Sequence, residues 1–205
     1  MTFPDVIAVG YLVAAVLFIL GLKALGRPRT ARRGNLLGAS GMFVAIAVTL
    51  FDRSIVDFRF LALGIAIGAL IGALLALKVQ MTGMPELVAL FNGFGGAASV
   101  LVAGATFLEV VDTGAVDGQL AVAVAATVLI GAVTFTGSLV AFGKLRESLR
   151  WNGFPGLDFV RALTGVASLA LVVAVVAQPD TLGWFWGLVA AGLLLGILGT
   201  IAIGG

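Results

Sequence analysis

Apolar residues in this chain run in long blocks broken by short polar stretches, with no strand-like alternation to set against them. A helix crossing a bilayer needs about 20 mostly apolar residues. Seven blocks meet or approach that length: Val6–Leu25, Asn35–Phe51, Phe60–Leu77, Pro85–Leu108, Gln119–Gly143, Leu157–Ala177 and Leu182–Ile203. The second is short and polar at its start. The connections are brief, and none could house a soluble domain. The pattern predicts an all-α, polytopic transmembrane helix bundle, with residues 1–205 forming a single membrane domain.

Composition sharpens this reading. Of 205 residues, 61% are hydrophobic and only 11% charged, with a mean hydropathy of +1.20. Soluble domains are about a quarter charged, and one of this size leaves roughly a third of its chain surface exposed. A soluble enzyme is excluded, and so is a disordered chain, which would be polar and charge-rich. The absence of cysteine removes disulfides, thiolate metal sites and cysteine nucleophiles. The absence of histidine removes the commonest general base and metal ligand. A net charge of +2 describes where cations sit relative to the bilayer and gives no argument for nucleic acid.

Cations also predict orientation, because cytoplasmic loops carry an excess of lysine and arginine. With the N-terminus outside, the inner loops hold Lys23, Arg27, Arg29, Arg32, Arg33, Lys78, Lys144, Arg146 and Arg150. Arg161 lies just past the inner edge of the sixth span, and only Arg53 and Arg59 fall outside. The outer loop Glu109–Gly118 carries Glu109, Asp112 and Asp117 and no cation. Seven spans would leave Gly205 on the cytoplasmic side. Met1–Asp5 contains no cation, so the first span does not read as a cleaved signal.

Small residues recur at helical spacing. Gly64, Gly68 and Gly72 form two G-x-x-x-G steps, and Gly192 and Gly196 form another. Such spacing predicts close helix packing, a tight bundle and an oligomer. Gly93-Phe94-Gly95-Gly96-Ala97-Ala98 fits a nucleotide-binding fingerprint, but that motif works only after a buried strand. Here it lies inside an apolar helical run and reads as a chance match. Gly143-Lys144 resembles a phosphate loop only superficially, since Leu145 occupies the Ser/Thr position.

The fourth span is the most informative. Met84-Pro85-Glu86 places proline in a first helical turn and a carboxylate at the positive helix end. Glu86 is either a capped interfacial group or a cytoplasmic mouth for protons or cations. Asn92, Gly96, Ser99 and Ala103 share one face, and Thr127, Gly131, Thr134 and Ser138 make a second small, polar stripe on the fifth span. The hydroxyls could simply bond back to the preceding turn. Two stripes on adjacent spans predict instead a shared, hydrated seam. Asp158 and Arg161 are placed to pair at the interface, and Trp151, Trp184 and Trp186 flank spans as an aromatic belt would.

Three strings carry a resemblance: Tyr11–Leu22 (YLVAAVLFILGL), Val79–Phe94 (VQMTGMPELVALFNGF) and above all Ile130–Leu145 (IGAVTFTGSLVAFGKL). The chain resembles the membrane domain of the beta subunit of proton-translocating NAD(P) transhydrogenase, over essentially its whole length. Ile203-Gly204-Gly205 looks like the approach to that family's next span. The resemblance implies hydride exchange between NAD(H), on a soluble domain of an alpha subunit, and NADP(H), on a C-terminal soluble domain of the beta subunit. Proton passage through the membrane domains is coupled to it. It further implies an alpha-subunit partner, a dimer of alpha-beta units, and a truncated subunit holding neither nucleotide site nor hydride-transfer residues. A separate polypeptide without a transit peptide points to a prokaryotic plasma membrane. In some members the position of Asn92 is a histidine thought to carry the proton. With asparagine here, Asn92 would orient water or a partner side chain, and a titrating histidine would come from an alpha-subunit helix. The expected proton path comprises Asn92, Ser138, Glu86, Ser99 and Thr134. An unrelated cation or solute transporter and a structural membrane subunit are the competing readings.

Overall fold

The computed structural model describes residues 3–51, 58–114, 116–151 and 153–202. Arg53 and Ile203-Gly204-Gly205 lie outside the described residues. Among the described residues seven helices follow one another: α1 (Phe3–Leu25), α2 (Ala31–Phe51), α3 (Phe58–Lys78), α4 (Met84–Thr113), α5 (Gly118–Leu145), α6 (Leu157–Ala177) and α7 (Leu182–Thr200). A single 3-10 turn, Met81–Gly83, leads into α4. All seven helices are long and apolar enough to cross a membrane. The described residues are all-helical, and the chain is a multi-pass membrane protein.

Helix ends depart from the hydropathy blocks for local reasons. The fourth block stops at Leu108, yet α4 continues to Thr113 and takes in Glu109 and Asp112. Its 30 residues extend about 45 Å, beyond a hydrocarbon layer of about 30 Å. The last turns can therefore be polar. Gly114 ends the helix at φ 65°, returning its N–H to the Val110 and Val111 carbonyls. That left-handed turn suits a residue without a Cβ. α5 starts immediately, with the Asp117 carboxylate accepting the Leu120 N–H at 2.6 Å. The predicted loop Glu109–Gly118 thus shrinks to the few residues between Thr113 and Gly118. Similarly, α2 begins ahead of Asn35, where the Gly34 N–H reaches the Thr30 carbonyl at 2.9 Å.

The chain forms two compact units, Met1–Gly72 and Ala73–Gly205. In the first, α1 and α2 make a glycine-lined hairpin. A Cβ on Gly34 would lie 2.8 Å from the Gly21 carbonyl oxygen, so the two backbones touch. The Tyr11 and Thr49 hydroxyls join the same helices at 2.9 Å. Around Gly64, Gly68 and Gly72 an added Cβ would meet nothing within 4 Å. Spacing shows that a helix can be approached closely, and it does not name the partner.

In the second unit α5 is central, with α4 and α7 against it and α6 on α7. Phe107 stacks on Phe185 with centroids 5.1 Å apart, inside a core that includes Val128, Val175 and Leu188. The Gly192–Gly196 step does what its spacing predicts: a Cβ on Gly192 would lie 2.8 Å from that of Ala132. Beside it the Thr136 hydroxyl lies 2.7 Å from the Leu193 carbonyl, joining α5 to α7. Trp184 and Trp186 lie in the first turns of α7 and are partly exposed, while Phe185 between them turns into the core. Arg161 pairs with Asp158 at 3.2 Å, and its Nε also donates to the Leu198 carbonyl at 3.1 Å. It thereby ties α6 to the last turns of α7, where a cation favours the negative helix end.

Candidate functional site

The seam between α4 and α5 is set by three glycines. A Cβ on Gly96 would lie 2.6 Å from the Gly131 carbonyl oxygen, and one on Gly131 2.7 Å from the Gly96 oxygen. Real Cβ atoms do not fit at such distances, so the helices meet backbone to backbone. One turn away, a Cβ on Gly93 would sit 3.2 Å from that of Ser138. This closeness lets short side chains reach across. Asn92 Nδ2 donates to Ser138 Oγ at 2.8 Å. Ser138 is only 8% exposed, whereas Asn92 is exposed on the flank of the seam.

A groove of about 540 Å³ runs along that flank, lined by Asn92, Gly96, Ser99, Thr127, Gly131 and Thr134. A second groove of about 480 Å³ shares Ser99 and Thr127 and continues toward Thr106. The two expected polar stripes therefore face one another. Within them the roles differ. Ser99 returns its hydroxyl proton to the Gly95 carbonyl at 3.0 Å, and Thr127 returns its own to Ala123 at 2.7 Å. With their protons so engaged, both offer the groove acceptor oxygens only. Thr134 lines the groove beside Asn92. The Ser138 bond engages one of the two N–H groups of the Asn92 amide.

Glu86 lies in the first turn of α4, two turns before Gly93 and on the same side of the helix. Its Oε2 is 3.3 Å from Nε of Arg146, the residue that caps α5. Arg146 in turn lies over the Phe142 ring at 5.4 Å. These groups border a cavity of about 290 Å³ with Leu75, Val79 and Leu90. The sequence singles out Glu86 but does not pair it with Arg146. The one available signal was an acid in a first turn and a cation at the end of the antiparallel neighbour.

The glycine run Gly93–Ala98 offers no cradle for a pyrophosphate. It lies within α4, and Gly93 and Gly96 are buried against α5. Among the described residues no group of three His, Cys, Asp or Glu side chains could hold a metal ion.

Comparison with known proteins decides the family. The model of the NAD(P) transhydrogenase beta subunit matches residues 7–205. The chain belongs to the NAD(P) transhydrogenase beta-subunit family. Two relatives are NAD(P) transhydrogenase subunits beta from Rhodospirillum rubrum, one of them from a defined strain. Each is 43% identical over 141 residues, covering 66% of this chain. The chain spans 30% of the length of these curated relatives. Family membership does not favour an unrelated transporter or a purely structural subunit.

Proposed function

We propose that this chain is the proton-translocating membrane part of an NAD(P) transhydrogenase, which couples hydride transfer between NAD(H) and NADP(H) to proton movement. The observation that carries this reading is the Asn92–Ser138 hydrogen bond on a polar groove between α4 and α5, in a chain of this family. An amide does not titrate near neutral pH. Asn92 instead holds water in a fixed orientation, with Ser138 setting the amide plane and Ser99 and Thr134 offering oxygens along the groove. Glu86 stands at the mouth. On this reading hydride transfer and both nucleotides belong to parts of the enzyme outside these residues, as the family resemblance implies.

The cation distribution supports an outside N-terminus, which puts Glu86 at the cytoplasmic end of the seam. The partner is an alpha subunit bearing the NAD site, the assembly is a dimer of alpha-beta units, and the membrane is a bacterial plasma membrane. An alpha-subunit helix facing the groove would supply the titrating histidine that this chain lacks. The reading is tested by reconstituting the complete beta subunit in vesicles with and without the alpha subunit. NADPH-driven proton movement is expected only with both. A beta subunit that neither co-purifies with an alpha subunit nor supports proton movement contradicts it.

A further inference from the structure

We infer that the Glu86–Arg146 pair is a gate at the cytoplasmic end of the α4–α5 seam, with Arg146 as the residue that positions Glu86. The inference rests on reading the seam as a proton path. Elsewhere along the seam the helices cannot part easily, because Gly93, Gly96 and Gly131 hold them at backbone contact. At the Glu86 end closure depends on side chains.

There the Glu86 carboxylate and the Arg146 guanidinium meet at 3.3 Å over a small cavity walled by Leu75, Val79, Leu87, Leu90 and Phe142. The two side chains are 30% and 58% exposed respectively. An ion pair so placed is weak and easily broken. Each charge also sits at the helix end that favours it, Glu86 in the first turn of α4 and Arg146 at the end of α5. Both side chains reach solvent, so opening the pair leaves no buried charge behind. Phe142, packed under the guanidinium, gives Arg146 a fixed platform to return to. The pair thus joins the ends of the two helices that carry Asn92 and Ser138. When closed, it separates that hydrogen bond from the cytoplasm.

A gate that fails to close makes a leak, so the readout is the number of protons moved per hydride transferred by the complete two-subunit enzyme in vesicles. Arg146→Gln is expected to lower that ratio several-fold, with hydride transfer falling less than proton movement. Arg146→Lys should restore most of the ratio, since it returns a cation. Glu86→Gln should match Arg146→Gln, and the double variant should be no worse than either alone. If Arg146→Gln does not assemble, Glu86→Gln, nearly isosteric, carries the test. An unchanged ratio, or equal loss of hydride transfer and proton movement, overturns the gate. So does additivity of the two single variants. Asn92→Leu in the same vesicles separates the two ideas. If it blocks proton movement while the ratio in Arg146→Gln is unchanged, the gate is wrong and the proton path stands. Should Asn92→Leu move protons normally, the path itself is wrong.

Discussion

Asn92 on α4 bonds Ser138 on α5 at 2.8 Å, and Gly93, the next residue, is what lets Ser138 come so near. An amide is a poor choice for helix association alone. Unbonded in an apolar medium it costs a few kcal/mol (roughly 2–7), while hydrogen bonds between membrane helices return only about 0.6 kcal/mol on average. On the proposed function, the face of Asn92, Ser99, Thr127 and Thr134 on one groove serves ordered water and not adhesion.

Seam packing predicts a contrast between neighbouring glycines. Gly96→Ala puts a Cβ against the Gly131 carbonyl and the Phe135 N–H, both in backbone that cannot swing aside. It should destabilise the folded protein by about 1–3 kcal/mol. Around Gly95 a Cβ meets nothing within 4 Å, so Gly95→Ala should be neutral or gain up to about 1 kcal/mol from helix propensity. Thermal or denaturant unfolding in detergent checks the pair. Equal behaviour of the two variants would contradict backbone contact at Gly96.

Hydroxyls that look alike in sequence should differ in worth. Thr136 joins α5 to the Leu193 carbonyl of α7 at 2.7 Å, whereas Thr127 bonds only within α5 to Ala123. Thr136→Val is expected to lower stability by about 0.6 kcal/mol, the mean for interhelical bonds. Thr127→Val should have no measurable effect on stability, because both helices keep their packing. Unfolding of both variants under one set of conditions decides it.

Topology can be read by labelling, helped by a segment that contains no cysteine. Thr30 is a poor label site because its hydroxyl reaches the Ala24 carbonyl at 2.6 Å and holds the α1–α2 turn. Arg29, exposed beside it, and Thr113, exposed at the end of α4, are better. With an impermeant thiol reagent on intact cells, Thr113→Cys should label and Arg29→Cys should not. The reverse pattern would put the N-terminus inside and the Glu86 mouth on the wrong side.

Hydropathy alone made all seven helices legible, because the bilayer leaves few alternatives to apolar runs of that length. The two polar stripes were legible as faces, since helical period fixes which residues align. Tertiary pairing was not. Nothing local distinguishes Gly192–Gly196, where an added Cβ would meet α5, from Gly64–Gly68–Gly72, where it would meet nothing within 4 Å. Arg146 answers Glu86 from another helix, and Arg161 reaches Leu198 on α7 as well as its near neighbour Asp158. Such contacts depend on which helices are adjacent, and periodicity within one helix does not encode that. Glu109 and Asp112 were misplaced in a loop because a hydropathy block ends where the hydrocarbon ends, while the helix goes on.

Replacing Asn92 tests the central claim most directly. Asn92→Leu removes the bond to Ser138 and the groove's amide, at a position exposed enough to accept leucine without displacing α5. In the complete two-subunit enzyme the variant should assemble. It should lose most NADPH-driven proton movement in vesicles, together with the hydride transfer coupled to it, while exchange confined to the nucleotide domains suffers less. Asn92→His, able to bond and to relay a proton, should retain more than Asn92→Leu. Proton movement by Asn92→Leu at the parental rate, in an assembled enzyme, would make Asn92 a packing residue and contradict the proton path through α4 and α5.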